Sequence, residues 1–142
     1  MKVMFDTNVY ISFIRNGSHE EQLLARDTVK YISAIVLMEL WAGAKDRNSE
    51  RLLYRLQKPY MNANRVISLT PSQYILIGQF LADLPNNYKG LCRKASFLND
   101  LQIAFTALSI GARLYTQDIA HYEIISQRLP ALRITYLTPS QF

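Results

Sequence analysis

Four acidic side chains lie in apolar stretches of the 142-residue sequence, where a charge is unexpected. A carboxylate on a buried face is costly unless it is paired or bound to a metal, whereas the other acids lie among polar residues, where charges are ordinary. Two carboxylates about 4 Å apart repel by roughly 4 kcal/mol at an effective dielectric of about 20. If the four side chains converge, they must share protons or hold a cation. They are Asp6, Glu39, Asp100 and Asp118.

The chemistry of such a site follows from its donor atoms. Oxygen ligands without cysteine or histidine select a hard ion, Mg²⁺ or Mn²⁺. Cys92 is the single cysteine and the chain has only two histidines, so a zinc site of the usual Cys/His kind is not supported. A carboxylate-held Mg²⁺ suits phosphodiester hydrolysis, because it orients the phosphate, activates a water molecule and stabilises the leaving oxygen. The four acids are therefore predicted metal ligands and catalytic residues.

Each acid also has an ordinary structural explanation. Asp6 and Asp118 follow predicted strands and precede predicted helices, where N-caps are common. Glu39 can reach solvent from the one polar edge of an apolar helix. Asp100 lies near the start of a helix, where the helix dipole favours an acid. These explanations stay open for each residue alone and are harder to accept for all four together.

Strand-like and helix-like stretches alternate along the chain. We predict strands over 2–6, 29–33, 65–69, 113–116 and 133–137. Helices are predicted over 9–14, 34–43, 47 to about 60, 71–84, 97–110 and 119–129, and a further helix is predicted after an N-cap at Ser18. The helix over 34–43 is predicted to be buried, and Pro59 is predicted to lie just beyond the end of the helix that begins at residue 47. Residues 86–95 are predicted to form a polar, basic loop. This alternation predicts one domain over 1–142, a three-layer α/β/α sandwich with a central, mainly parallel sheet. Ligands bind at the carboxyl ends of such strands, where Asp6 and Asp118 lie.

The acids and their neighbours resemble the PIN-domain family, specifically the VapC-type toxins of bacterial and archaeal toxin–antitoxin pairs. Four motifs, in the same order and at similar spacing over essentially the whole chain, carry the resemblance: Phe5-Asp6-Thr7-Asn8, Met38-Glu39-Leu40, Asn99-Asp100-Leu101-Gln102-Ile103-Ala104, and Leu114-Tyr115-Thr116-Gln117-Asp118 with His121-Tyr122. The resemblance implies a Mg²⁺- or Mn²⁺-dependent ribonuclease that forms a homodimer and is inhibited by a cognate antitoxin protein.

The resemblance also implies roles for individual residues. Asp6, Glu39, Asp100 and Asp118 would form the acidic metal site, with Thr116 as the hydroxyl near the metal and Asn8 as a supporting polar residue. The sequence departs from the family pattern at His121, where many relatives carry an acid. That departure leaves open whether one or two metal ions bind.

Basic residues predict the contacts with an anionic partner, in line with the net charge of +5. Lys89, Arg93 and Lys94 lie in the loop before Asp100 and are the predicted RNA-binding residues. A second set recurs every four residues on one helix and is either a solvated face, a phosphate track or a docking face for an acidic antitoxin segment. Its members are Arg47, Arg51 and Arg55.

Two other functions remain as alternatives. A phosphatase of the haloacid dehalogenase type would use Asp6 as nucleophile, but that family has a second Asp where this chain has Asn8. The other alternative is a non-catalytic RNA- or protein-binding module with a PIN-like fold. The lone cysteine, the lack of a membrane-spanning apolar run and the lack of a signal peptide predict a cytoplasmic protein without membrane attachment.

Overall fold

The computed structural model describes residues 1–139, which form five strands and eight helices. In chain order they are β1 (Lys2–Phe5), α1 (Thr7–Asn16), α2 (Glu20–Leu23), β2 (Val29–Ser33), α3 (Ala34–Ala42), α4 (Arg47–Asn62), β3 (Val66–Ile67), α5 (Pro71–Ala82), a 3₁₀ helix (Asn86–Arg93), α6 (Ala95–Ser109), β4 (Arg113–Thr116), α7 (Ile119–Arg128) and β5 (Arg133–Tyr136).

The strands form one sheet in the order β3-β2-β1-β4-β5, and every pairing is parallel. The chain builds the sheet outward from β1 in one direction through β2 and β3, and then in the other through β4 and β5. The order therefore reverses between β1 and β4, where Phe5 pairs with Tyr115. A crevice outside the carboxyl ends of the strands at such a reversal is the usual ligand site of an open α/β sheet. The predicted α/β/α sandwich with a parallel sheet is confirmed.

The hydrophobic core lies between the sheet and its helices. Val3, Met4 and Phe5 of β1 are completely buried, as expected for a central parallel strand covered on both faces. The most thoroughly buried helix is α6, which carries Phe97, Leu101 and five further buried residues. Because α6 contacts α3, α5, α7 and β4, it fixes the side chains near its start relative to the sheet.

Most predicted elements are confirmed, but several boundaries differ. Helix α1 begins at Thr7 rather than at residue 9, because Asp6 caps it. The N-cap of α2 is His19, which has a φ of 64° and makes no side-chain cap, so the prediction that Ser18 caps this helix was wrong. The predicted strand over 65–69 is only two residues long, because Thr70 already caps α5.

Three other local predictions were wrong. Pro59 lies inside α4 rather than beyond it, and the hydroxyl of Tyr60 meets that of Tyr10 at 2.8 Å, which ties the last turn to α1. Residues 86–93 form a 3₁₀ helix instead of an open loop. Helix α3 is only partly buried, since Val36 and Leu40 are its buried residues and Met38 is 52% exposed.

Candidate metal centre

The four acids predicted from the sequence lie around the carboxyl ends of β1 and β4. Asp6 follows β1 directly, and Asp118 follows β4 after one intervening residue. Glu39 comes from α3 and Asp100 from α6. The charges of Asp6, Asp118 and Glu39 all act on Asp100, so the structure brings the four carboxyl groups together.

Asp6 is both a helix cap and the most deeply buried of these acids. One carboxyl oxygen accepts a hydrogen bond from the backbone N–H of Thr7 at 2.8 Å, and the other accepts from the hydroxyl of Thr116 at 2.7 Å. Its exposed fraction is 3%. Burial raises the pKa of Asp6 from 3.8 to about 6, although both hydrogen bonds oppose that shift. Asp6 can therefore cap helix α1 and also belong to the candidate metal site.

Thr116 connects the two strand ends through its buried hydroxyl. Besides donating to Asp6, this oxygen accepts from the backbone N–H of Asp118 at 3.0 Å and from the side-chain amide of Asn8 at 3.4 Å. Asn8 in turn accepts from the backbone N–H of Gln117 at 3.2 Å. These bonds hold the segment after β4 against the start of α1, which fixes the carboxyl of Asp6 relative to that of Asp118.

Glu39 is held by two neighbours of the other acids. One carboxyl oxygen accepts from the hydroxyl of Thr7 at 2.7 Å, and the other accepts from the side-chain amide of Asn99 at 3.4 Å. Sequence reasoning did not assign a role to Thr7 or Asn99. The available signal was their position, since each directly adjoins a predicted acid.

Asp100 and Asp118 form the tightest part of the cluster, together with His121. One ligand atom from each of the three residues lies within 4.8 Å of the other two. Nδ1 of His121 is 2.7 Å from a carboxyl oxygen of Asp100 and 3.5 Å from one of Asp118. Burial, followed by the charges of Asp6 and Asp118, raises the pKa of Asp100 to about 9. The residue that departs from the family pattern therefore faces the acids.

The hydroxyl of Tyr122 is buried and makes no well-formed hydrogen bond among residues 1–139, although the carboxyl of Asp6 lies near enough to act on it. The side chain is completely buried, and the charges of Asp6, Asp100 and Asp118 act on it. A buried O–H normally has a hydrogen-bond partner, so this one marks a place for a water molecule or a ligand beside the carboxyl groups. Together with the hard oxygen donors, it fits a hydrated divalent cation.

The predicted RNA-binding residues differ in their surroundings. The ammonium of Lys89 donates to the backbone oxygens of Leu81 (3.2 Å) and Ala82 (2.5 Å), so it caps the end of α5. Arg93 and Lys94 are exposed immediately before α6, the helix that carries Asp100. Of the three predicted RNA-binding residues, Arg93 and Lys94 are therefore the two whose side chains are exposed to a binding partner.

A large cavity is lined by none of the four acids. It is an apolar groove of about 610 Å³ between α1, α2 and α4, with Lys30, Arg55 and Arg65 among its lining residues. A smaller cavity of about 220 Å³ shares Ile14 and Leu52 with the groove and reaches Glu39. The two cavities therefore adjoin at Ile14 and Leu52, and Glu39 of the acidic cluster lines the smaller one.

Comparison with known proteins identifies the family. The sequence profile of the PIN domain matches residues 3–125. The chain belongs to the PIN-domain family. A search of the curated proteins found no significant match to this PIN domain.

Several solved structures of toxin–antitoxin complexes are similar to this PIN domain. VapBC2 from Rickettsia felis, bound to a promoter DNA fragment, is 27% identical with a TM-score of 0.67, over 96% of this chain and 99% of that chain. VapBC from Salmonella typhimurium, bound to DNA, is 28% identical with a TM-score of 0.66, over 96% and 98%. VapBC-1 from nontypeable Haemophilus influenzae is 26% identical with a TM-score of 0.65, over 96% and 98%. The predicted resemblance to VapC-type PIN domains is confirmed.

Proposed function

We propose that this PIN domain is a divalent-metal-dependent endoribonuclease and the toxin of a toxin–antitoxin pair. The observation that carries the proposal is the convergence of Asp6, Glu39, Asp100 and Asp118 at the point where the strand order reverses. Carboxyl groups gathered at this density favour a bound cation, because a cation removes their mutual repulsion. The similarity to VapBC complexes supports the toxin assignment.

The residues of the cluster would have different roles in the reaction. Asp6, Asp100 and Asp118 would hold Mg²⁺ or Mn²⁺, and a bound cation would supply an activated water and neutralise charge on the phosphodiester. Thr116 and the backbone of Thr7 orient the carboxyl of Asp6. Glu39, held by Thr7 and Asn99, lines the smaller cavity and would orient the attacking water.

RNA binding would depend on exposed cations next to this cluster. Arg93 and Lys94 precede α6 directly, so they would hold a phosphate at the start of the helix that carries Asp100. Such contacts are independent of base sequence and weaken with added salt. Lys89 supports this segment by capping α5 rather than by reaching outward.

The two alternative functions fit the geometry less well. A phosphatase of the haloacid dehalogenase type would need a second carboxylate two residues after Asp6, but Asn8 is there, and its amide bonds to Thr116 and Gln117 instead. A non-catalytic module would gain nothing from burying several carboxyl groups side by side, and loss of any one of them would relieve repulsion. Both observations favour the nuclease.

The antitoxin would occupy the apolar groove between α1 and α4. Lys30, Arg55 and Arg65 at its walls would attract an acidic, amphipathic segment, and the smaller cavity, which adjoins the groove at Leu52, would take the part of that segment nearest Glu39. Arg55 belongs to the exposed arginine row on α4, for which we favour the docking explanation. Leu52→Asp should weaken capture of the co-expressed antitoxin, and unchanged capture would remove this assignment.

The direct test of the nuclease is RNA cleavage by purified protein with Mg²⁺ or Mn²⁺. Asp6→Asn should abolish cleavage while the circular dichroism spectrum stays unchanged, and EDTA should have the same effect on the wild type. Asp27→Asn makes the same chemical change at an exposed position and should cleave at the wild-type rate. A folded Asp6→Asn protein with wild-type activity would contradict the proposal. Hydrolysis of small phosphomonoesters instead of RNA would favour the phosphatase.

A further inference from the structure

His121 lies beside the acidic cluster because of its spacing from Asp118 along α7. It lies three residues after Asp118, so both side chains project from the same face of the helix start. The N-cap oxygen of Asp118 also accepts from the backbone N–H of His121 at 3.4 Å. The ring of Phe97, which is completely buried, packs edge-on against the imidazole at a centroid distance of 5.3 Å. These contacts direct Nδ1 toward the carboxyl groups.

The distances around Nδ1 are close to those between neighbouring ligands of one ion. Two cis ligands at about 2.1 Å from an octahedral ion lie roughly 3 Å apart. Nδ1 is 2.7 Å from the Asp100 oxygen and 3.5 Å from the Asp118 oxygen, so small side-chain rotations would allow all three atoms to contact one ion. The side chains of His121, Asp100 and Asp118 are 20%, 13% and 31% exposed, which leaves an open path for the ion.

Independent support comes from the buried Tyr122 hydroxyl. This group makes no well-formed hydrogen bond within the described part of the chain, residues 1–139, but the carboxyl of Asp6 lies near enough to act on it, and so do the charges of Asp100 and Asp118. A water molecule bound to an ion at this place would supply a well-placed partner. The imidazole and this hydroxyl are on consecutive residues of α7, so one helix start presents both to the cluster.

We propose that His121 is a metal ligand and that, with Asp100 and Asp118, it forms a mixed nitrogen–oxygen position that prefers a transition-series ion such as Mn²⁺ to Mg²⁺. The proposal rests on the proposed metal-dependent function and deepens it. Imidazole binds transition metals well, whereas Mg²⁺ favours an all-oxygen shell. Where the resemblance implies an all-carboxylate site, this chain has a softer donor and therefore a different ion preference.

The decisive experiment detects the nitrogen–metal bond without any activity assay. Protein labelled with ¹⁵N only at histidine is loaded with Mn²⁺ and studied by pulsed electron paramagnetic resonance. We expect a ¹⁵N coupling of a directly bound imidazole in the wild type. His19→Asn, which changes the other histidine and tolerates its positive φ, should keep the signal. His121→Asp should lose it.

A second measurement follows the ion preference. In equilibrium dialysis, His121→Asp should lower the ratio of Mn²⁺ affinity to Mg²⁺ affinity by about tenfold or more, since even an outer partner of a metal ligand is worth about 10- to 100-fold in affinity. His19→Asn should leave the ratio unchanged. An unchanged ratio in His121→Asp would contradict the proposal.

The outcomes separate this proposal from the nuclease proposal. Bound Mn²⁺ without a histidine coupling would overturn the role of His121 while leaving the carboxylate site intact, and would indicate that the imidazolium serves as a fixed counter-charge to Asp100. Failure of the wild type to bind Mn²⁺ at all would overturn both. Because the spectrum of the wild type itself is decisive, the test holds even if a variant fails to fold.

Discussion

Asp6 is buried and Asp100 is largely buried, and in the metal-free protein both release their protons at a higher pH than an exposed aspartate. Burial is the first cause in both cases, and it raises the pKa values from 3.8 to about 6 and about 9. Between pH 4 and pH 9 the folded chain therefore binds more protons than the unfolded chain. Stability must fall as pH rises through this range, because the protons are lost from the folded state.

This linkage predicts the pH dependence of thermal stability. In EDTA, the Tm of the wild type should fall steadily between pH 5 and pH 9. Asp100→Asn removes the group with the largest shift, so its Tm should vary less with pH and exceed that of the wild type at pH 9 by about 3 °C or more, the effect of roughly 1 kcal/mol. Differential scanning calorimetry measures both. A wild-type Tm that rises toward pH 9 would refute the proton assignment.

Thr116→Val tests the hydroxyl that connects Asp6 and Asp118. The change keeps the side-chain shape but leaves one oxygen of the Asp6 carboxyl without its donor, so the free energy of unfolding should fall by about 1–3 kcal/mol. Mn²⁺ affinity should fall by about 10- to 100-fold, as for other lost partners of metal ligands. Denaturant titration and equilibrium dialysis measure the two effects.

The control for that change is Thr106→Val, at a buried threonine whose hydroxyl bonds only within α6. It should leave Mn²⁺ affinity unaltered. Equal losses of Mn²⁺ affinity in the two variants would show that Thr116 acts through general stability and not through Asp6.

The sequence was most informative about single residues that violate a physical rule. Acids such as Glu39 and Asp100 stood out because they interrupt apolar stretches. Thr7 and Asn99 did not, because a polar residue at a helix start is ordinary and only the fold shows that both meet Glu39. His121 was identified as a departure, but its contact with Asp100 depends on how α6 and α7 pack.

At the scale of elements, runs of apolar residues predicted the helices and strands better than prolines and capping residues predicted their ends. The buried strands β1 and β4 and the helix α6 were predictable, since apolar residues there fill a core. The proline at residue 59 was misleading, because packing of Tyr60 against Tyr10 maintains α4 beyond it. Likewise β3 is short because the capping box of Thr70 and Gln73 starts α5 immediately afterwards.

Arg93 and Lys94, at the junction between the 3₁₀ helix and α6, are predicted to bind RNA, and this can be tested. In an Asp6→Asn background, which prevents cleavage, Arg93→Gln with Lys94→Gln should weaken binding of single-stranded RNA. The slope of log K against log salt should decrease by about 1.4, because two phosphate contacts are lost. Filter binding at several salt concentrations measures it.

A matched pair of changes controls for net charge. Arg26→Gln with Arg128→Gln removes the same charge from exposed positions elsewhere, and the salt slope should stay near the parent value. If both pairs reduce the slope equally, the effect is one of overall charge and the junction has no special role.

At the scale of the whole molecule, α5 is the best candidate for the predicted homodimer contact. Tyr74, Ile75 and Leu76 are 51%, 64% and 50% exposed, and α5 contains no charged residue. Ile75→Lys should convert a dimer to a monomer in sedimentation experiments, because an ammonium would be buried without a partner. Met61→Lys places the same charge at another exposed apolar residue and should remain dimeric. A dimeric Ile75→Lys protein would exclude α5.

None of the helices in residues 1–139 has both the length and the apolar character needed to span a bilayer. The fold as a whole serves to bring two strand ends and two helices to one place. Their four carboxyl groups repel one another unless they share protons or hold a cation.

Calorimetric titration of Mn²⁺ into the protein at pH 7, in two buffers of different ionisation enthalpy, tests this central claim most directly. The wild type should bind Mn²⁺ and release about one proton per ion, because the pKa of Asp100 is about 9 and the ion displaces its proton. Asp100→Asn should bind far more weakly and release no such proton. Absence of binding by the wild type, or equal binding by Asp100→Asn, would contradict the account.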